Sequence, residues 1–328
     1  MKKLFLSLVA AIVAATATYA QSTLVATLSH GSDITMFYGS NALRDAHNAA
    51  VSGDVINLSG GAFQAVDITK AVTIRGAGVD DATPTYILSS CKIKIPDTDT
   101  GRLSMEGVRC PNVYIEGILT NAFFLKCVLI DISSYNGSAV KLVNVIFADC
   151  KFTGTINWQG SGSIQFLNCF LSGFTSGNTT GNTLLNCIII QPYWENISSI
   201  ANTQLINCII SGDSRNNLPS SSVAKNCIAI NSPNCFSTSP SNTDCKHATF
   251  EEVFKDFTGT YSDDQTFELT DEAKTKYLGT DGTQVGLYGG VMPYTSTPSY
   301  PRITKMNVAN KTTADGKLSV EIEVSAAQ

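Results

Sequence analysis

The sequence predicts an all-β solenoid, in which short strands wind into stacked coils around one interior column. The first observation behind this is a ladder of cysteines. Cys91, Cys110, Cys127, Cys150, Cys169, Cys187, Cys208 and Cys227 are separated by steps of 19, 17, 23, 19, 18, 21 and 19 residues. A unit of about 20 residues is too short to bury a hydrophobic face alone, so a buried-type residue recurring at that step marks repeats whose core forms by stacking. The second observation is that Asn168, Asn186, Asn207 and Asn226 stand directly before four of these cysteines, where each coil must turn. The third is composition: only 15% of residues are charged, while Ser, Thr, Asn and Gly are abundant, which suits an all-β chain with many turns.

The chain opens with a basic start (Lys2, Lys3), an apolar run over residues 4–15 and a small-residue exit at Thr18-Tyr19-Ala20. This is the pattern of a secretory signal peptide over residues 1–20, and the run is shorter than the roughly 20 residues that span a bilayer. Losing these two lysines moves the net charge from -5 to -7. A mildly acidic surface without basic clusters disfavours nucleic acid as a partner. The expected location is outside the cytoplasm: periplasm, cell surface or extracellular space.

Residues 41–51 carry Leu43, Ala46, Ala50 and Val51 at helical spacing behind Asn41, a plausible N-cap. This is a short amphipathic cap helix. Three short β-branched runs follow, at Val55-Ile56-Asn57-Leu58, Val66-Asp67-Ile68 and Val72-Thr73-Ile74. The pattern from Ala42 through Gly76-Ala77-Gly78 resembles the N-terminal cap and opening coils of right-handed parallel β-helix proteins of the pectin-lyase-like superfamily. Tyr277-Leu278-Gly279-Thr280-Asp281-Gly282 and Val285-Gly286-Leu287-Tyr288-Gly289-Gly290 are similar to the closing segment of secreted β-helix proteins from Gram-negative bacteria. The resemblance implies a single-stranded right-handed parallel β-helix over residues 21–250. It implies no activity, because that superfamily holds lyases, hydrolases and adhesins alike.

Aligning the coils on cysteine gives columns. Phe124, Phe147, Phe166, Leu184, Leu205 and Ala224 fall three residues before a cysteine, and Leu129, Phe152, Leu171, Ile189, Ile210 and Ala229 two after it. Residues two apart share a strand face, so these columns and the cysteines form the core. The cysteines are expected as reduced, buried thiols, since stacked Cβ atoms about 4.8 Å apart exceed the roughly 3.8 Å of a disulfide. Cys235 and Cys245 are set outside the rhythm as the better disulfide pair. Asparagine suits the corner because it tolerates a left-handed bend and its amide can bond the coils above and below. The residue after each cysteine should point outward, so Val128, Phe170, Ile188, Ile209 and Ile228 would form a bare apolar stripe. Such a stripe is usually covered, here by the C-terminal segment or by a protein partner or second copy docking on Phe170, Ile188, Ile209 and Ile228.

Beyond Cys245 the texture changes. Residues 250–257 space Phe250, Val253, Phe254 and Phe257 as a short helix, residues 270–276 allow another, and 251–300 form a C-terminal cap of the solenoid. Residues 301–328 read as a β-hairpin or tail, with alternation over 318–324.

Catalytic patterns are thin. Asp131 and Asp213 lie about 19 Å apart by coil count, too far to work as a carboxylate pair. His30, His47 and His247 lie at the two ends, with His47 solvated or capping on the cap helix. Thr280-Asp281-Gly282 reads as a turn, and no metal or cofactor is called for. The best ligand candidates are aromatic. Tyr135, Trp158, Tyr193 and Trp194 fall six to eight residues after their cysteines, with Glu195 and Arg215 beside them, a lateral edge on which sugar rings could stack; the alternative is that they pack under loops. The function expected is a secreted scaffold, without the usual catalytic groups, that binds carbohydrate or acts as an adhesin. The alternatives are a polysaccharide lyase or glycoside hydrolase, testing first Glu195 and Arg215, and a structural surface component.

Overall fold

The structure is a computed structural model. It describes residues 24–325 apart from 81–83, 136–139, 155, 158–161, 176–180, 192–196, 198–199, 213–216, 238–240, 263–264, 309–311, 314 and 318. The chain forms a parallel β-helix of about eight turns. Each coil contributes a short strand to a first sheet, turns a corner, and contributes another to a second sheet; the sheets reach eleven and twelve strands.

The corners explain the asparagines. Lys126, Asp149, Asn168, Asn186, Asn207, Asn226 and Asp244 all adopt φ between 51° and 56°, the left-handed region that Asn and Asp enter most readily among residues with a Cβ. Corner amides bond upward, as in Asn168 N to Leu185 O and Asn186 N to Ile206 O, 2.9 and 3.0 Å. The expected core columns are in register: Phe124, Phe147, Phe166, Leu184, Leu205 and Ala224 pair from coil to coil. The first three stack ring on ring, with centroids 4.9 and 5.2 Å apart.

The cysteine column lacks the first two expected rungs, Cys91 and Cys110, and extends one rung further than expected. Val128, Lys151, Phe170, Ile188, Ile209, Ile228 and Lys246 pair in succession. The residues before them, Cys127, Cys150, Cys169, Cys187, Cys208, Cys227 and Cys245, are therefore the column, and Cys245 is its last rung rather than an outlier. Cys110 instead pairs with Leu129 and Cys91 with Val113, because the corner in that coil is Gly107 (φ 65°) and Val108 takes the rung. All ten cysteines are free, including Cys235 and Cys245. Interior thiols donate to carbonyls of the coil below, such as Cys169 Sγ to Phe147 O at 3.4 Å, and burial pushes the Cys127, Cys150 and Cys169 thiols well up.

The N-terminal end is closed by helix α1 (Ala42–Ala49), which buries Ala42, Leu43 and Ala46. Asn41 holds the N-cap position without a side-chain bond, and Val51 is exposed. Lys70 Nζ donates to the carbonyls of His47, Asn48 and Ala50 at 2.7–2.9 Å, satisfying groups that a helix end leaves open. An antiparallel hairpin, Val25–His30 with Asp33–Tyr38, completes this end; its first strand, read past in the sequence, alternates buried Ala26 and Leu28 with less buried neighbours. At the other end the interior of the last coil is filled by Leu218, Cys235 and Phe236.

Past the last rung, helices α2 (Phe250–Val253) and α3 (Asp271–Lys276) pack on the outward stripe. Thr249 and Glu252 form a reciprocal cap at α2, and Thr270 caps α3. Phe170, Ile188, Ile209 and Ile228 are 0–1% exposed in a cluster with Phe257, Phe267, Leu269, Tyr277 and Leu287. The stripe is thus covered from within the chain, and those four side chains are not open to a partner in this structure. Residues 278–300 then run back along the corners as a strap. Asn226 Nδ2 donates to Leu278 O, Asn207 Oδ1 accepts from Thr280 N, Asn168 Nδ2 donates to Leu287 O and Gly289 O, and Lys126 Nζ donates to Thr297 O, all at 2.6–3.1 Å. Ser299 N donates to Glu106 Oε1 at 2.7 Å and the Tyr300 hydroxyl to Gly76 O. The side-chain amides of Asn168, Asn207 and Asn226 therefore serve the strap, while their backbone N–H groups bond the neighbouring coil. Arg302–Val308 and Val320–Ser325 form an antiparallel hairpin.

Candidate functional site

The outward column of the second sheet reads Ala62, Tyr86, Arg109, Val128, Lys151, Phe170, Ile188, Ile209, Ile228 and Lys246. The tail covers its middle, and of the N-terminal members Tyr86 is the exposed one, 40%. Where the cover stops, a groove of about 560 Å³ opens between the sheet and Tyr261 and Ser262 of the tail. Its floor holds Val128 and Ile130, and Tyr86, Leu88 and Arg109 line it further along the column. Tyr86, Leu88 and Ile130 are 40–47% exposed, which is unusual for side chains in one continuous sheet patch.

Both ends of the groove are held in place. Tyr261 stacks against Phe170 and Phe267, with centroids 5.1 and 6.2 Å away. Arg109 donates from Nε to Val79 O at 2.7 Å and from Nη2 to Asp80 at 3.1 Å, with its guanidinium 5.8 Å from the Tyr86 ring. Asp80 also lies 3.7 Å from Lys151 Nζ, which sits over the Tyr294 ring at 5.5 Å. Burial pushes the Tyr294 phenol far up, so it stays neutral. The arrangement is an apolar floor, two aromatic walls and one oriented cation, which suits binding of a partly apolar, hydroxyl-rich ligand.

Of the residues singled out in the sequence, Trp158, Tyr193, Trp194, Glu195 and Arg215 lie outside the described residues, as does Asp213. Tyr135 is described and half exposed, 4.7 Å from Lys92 Nζ and 6.3 Å from Tyr114. Lys92 pairs there with Asp67 and Glu116 at 3.1 and 3.5 Å, so Tyr135 borders an ion-pair network. Burial raises the Asp131 carboxyl. His30 Nδ1 meets Asp54 at 2.7 Å. His47 is not solvated: it is 2% exposed and its Nε2 accepts from Thr69 N at 3.3 Å, with burial lowering it to about 4. The Asp281 carboxylate accepts from Thr283 N and Oγ1, as a turn requires. Among the described residues no group of three or more His, Cys, Asp or Glu could hold a metal ion.

Placing Cys110 as a rung hides the groove in the sequence, because it shifts Arg109 out of the outward column. Extending the outward phase past Gly107 would have placed Tyr86 and Arg109 in line with Val128, but nothing local brings Tyr261 to them. Comparison of the chain with protein families, curated proteins and solved structures finds no match.

Proposed function

We propose that the chain is a non-catalytic scaffold that binds a carbohydrate chain in the groove between the N-terminal half of the second sheet and the tail. Export through a cleaved leader, work at the cell surface or outside it as a binder or adhesin, and kinship with the pectin-lyase-like superfamily belong to the same reading. The observation that carries it is that the exposed Tyr86 ring, Arg109 and Tyr261, which packs on Phe170, line one groove along a sheet face. Aromatic faces with a few directed polar groups are what sugar rings stack on, and a solenoid flank is long and shallow enough for a polymer. Asp80, beside Arg109, is engaged by both Arg109 and Lys151, which favours holding a ligand over proton transfer.

The test is a polysaccharide panel read for retention and for products. Retention without new reducing ends or unsaturated products is expected, and Tyr86→Ala should weaken it about tenfold, near 1.4 kcal/mol, at unchanged melting temperature. Release of products would replace the scaffold by a lyase or hydrolase; retention indifferent to Tyr86→Ala and to Arg109→Gln would move the site off the groove.

A further inference from the structure

The last rung of the cysteine column differs from the others. Ile228 pairs with Lys246, so Cys245 stands directly on Cys227, and Lys246 N bonds Cys227 O at 2.8 Å. Each interior rung is held by a coil on both sides. In the second sheet Lys246–Ala248 is the terminal strand, and Cys245 is half-buried where Cys227 is fully buried. A cleft of about 210 Å³ opens beside Cys227, lined also by Asp244 and Lys246, the two chain neighbours of Cys245, and by Lys276.

Exposure separates Cys245 from the other thiols: Cys91 and Cys208 are also lowered, but both are fully buried. Burial pushes Cys127, Cys150 and Cys169 well up and Cys235 to about 12, which leaves them inert. The Cys245 thiol is instead lowered, first by its hydrogen bond with Cys227, against the opposing effect of burial. In-register neighbours on parallel strands stand about 4.8 Å apart, inside the Cα range of a disulfide but long for its Cβ separation. Interior rungs cannot close that gap because they are bonded above and below. The terminal rung is bonded on one side, so a small approach of Cys245 to Cys227 closes it.

We propose that Cys245 and Cys227 form a peroxide-responsive thiol pair, with Cys245 the attacking and Cys227 the resolving sulfur. The Cys245 thiolate attacks one oxygen of hydrogen peroxide; the O–O bond breaks, and Cys245 becomes a sulfenic acid with release of water. The Cys227 sulfur then displaces that hydroxyl as a second water. Two thiols are oxidised to one disulfide while one peroxide is reduced to two waters.

The experiment treats the full chain with equimolar peroxide, counts remaining thiols and sequences the tryptic peptide spanning residues 226–246, which holds Cys227, Cys235 and Cys245. Two of the ten thiols should disappear, with the bond mapped to Cys227 and Cys245. Cys245→Ala should abolish the loss and Cys235→Ala leave it intact. Cys227→Ala should leave a sulfenic acid on Cys245 that a dimedone probe traps. A bond from Cys245 to Cys235, a loss that survives Cys245→Ala, or ten unreacted thiols would each overturn the proposal.

Discussion

At the scale of single residues, the corner asparagines carry two separable duties: backbone conformation and attachment of the strap. Asn168 sits at φ 51° and its buried amide serves two strap carbonyls. Asn168→Gly keeps the conformation and loses the bonds, whereas Asn168→Ala loses both. We expect about 2 kcal/mol lost in the first, from unsatisfied buried acceptors, and about 1–2 kcal/mol more in the second, read as urea midpoints. Asp149 occupies the equivalent corner under the strap, and burial pushes its carboxyl up to about 7 against the pull of Lys126. A folded value above the unfolded one, about 3.9, means that the native state binds more protons. Its contribution is therefore complete below about pH 4 and lost as pH rises to about 7, up to about 4 kcal/mol. Asp149→Asn should match the parent near pH 4 and exceed it at pH 8 when urea midpoints are compared. His47 works in the opposite sense: lowered to about 4 by burial, it favours the fold above its unfolded value of about 6.5 and loses that as pH falls towards 4.

At the scale of elements, the strands and the corners were legible and the helices partly so. Periodic cysteines and asparagines mark the coil because every coil repeats the same burial and the same left-handed turn. The α2 pattern over residues 250–257 was right about which face is apolar, since Val253, Phe254 and Phe257 are all buried, but the helix ends at Val253 where the chain turns to follow the stripe. The stripe itself is the strongest element-level test. Ile209→Ala, at a fully buried contact with the tail, should cost about 2–4 kcal/mol and admit protease cleavage in the 258–266 segment. Val128→Ala, on the same column but outside the apolar cluster that the tail forms, should cost less and leave the tail resistant. Equal sensitivity of the two variants would contradict intramolecular cover.

At the scale of the whole molecule, a solenoid alone is a chain of nearest-neighbour contacts and can unfold piecemeal. The strap changes this, because residues 278–300 bind corners from Asn226 back to Gly76 and tie distant coils together. Gly286 adopts φ +80°, and a Cβ there would stand 2.8 Å from Ile209. Gly286→Val should unseat the strap at that point, lowering the urea slope as the single transition separates into two. An unchanged slope would mean that the coils cooperate without it.

The sequence by itself determined the coil: its length, its buried columns, its corner residues and the apolar stripe that needed cover. These are local and repeated, so each coil reports them again. Only the tertiary structure decided that Cys245 is a rung while Cys91 and Cys110 are not, and that the tail ties the corners together along the flank. It also decided that a groove forms where Tyr261 meets Tyr86 and Arg109. Those outcomes depend on register at one irregular corner, Gly107, and on contacts between residues 52 to 224 positions apart, and neither leaves a periodic trace in the chain.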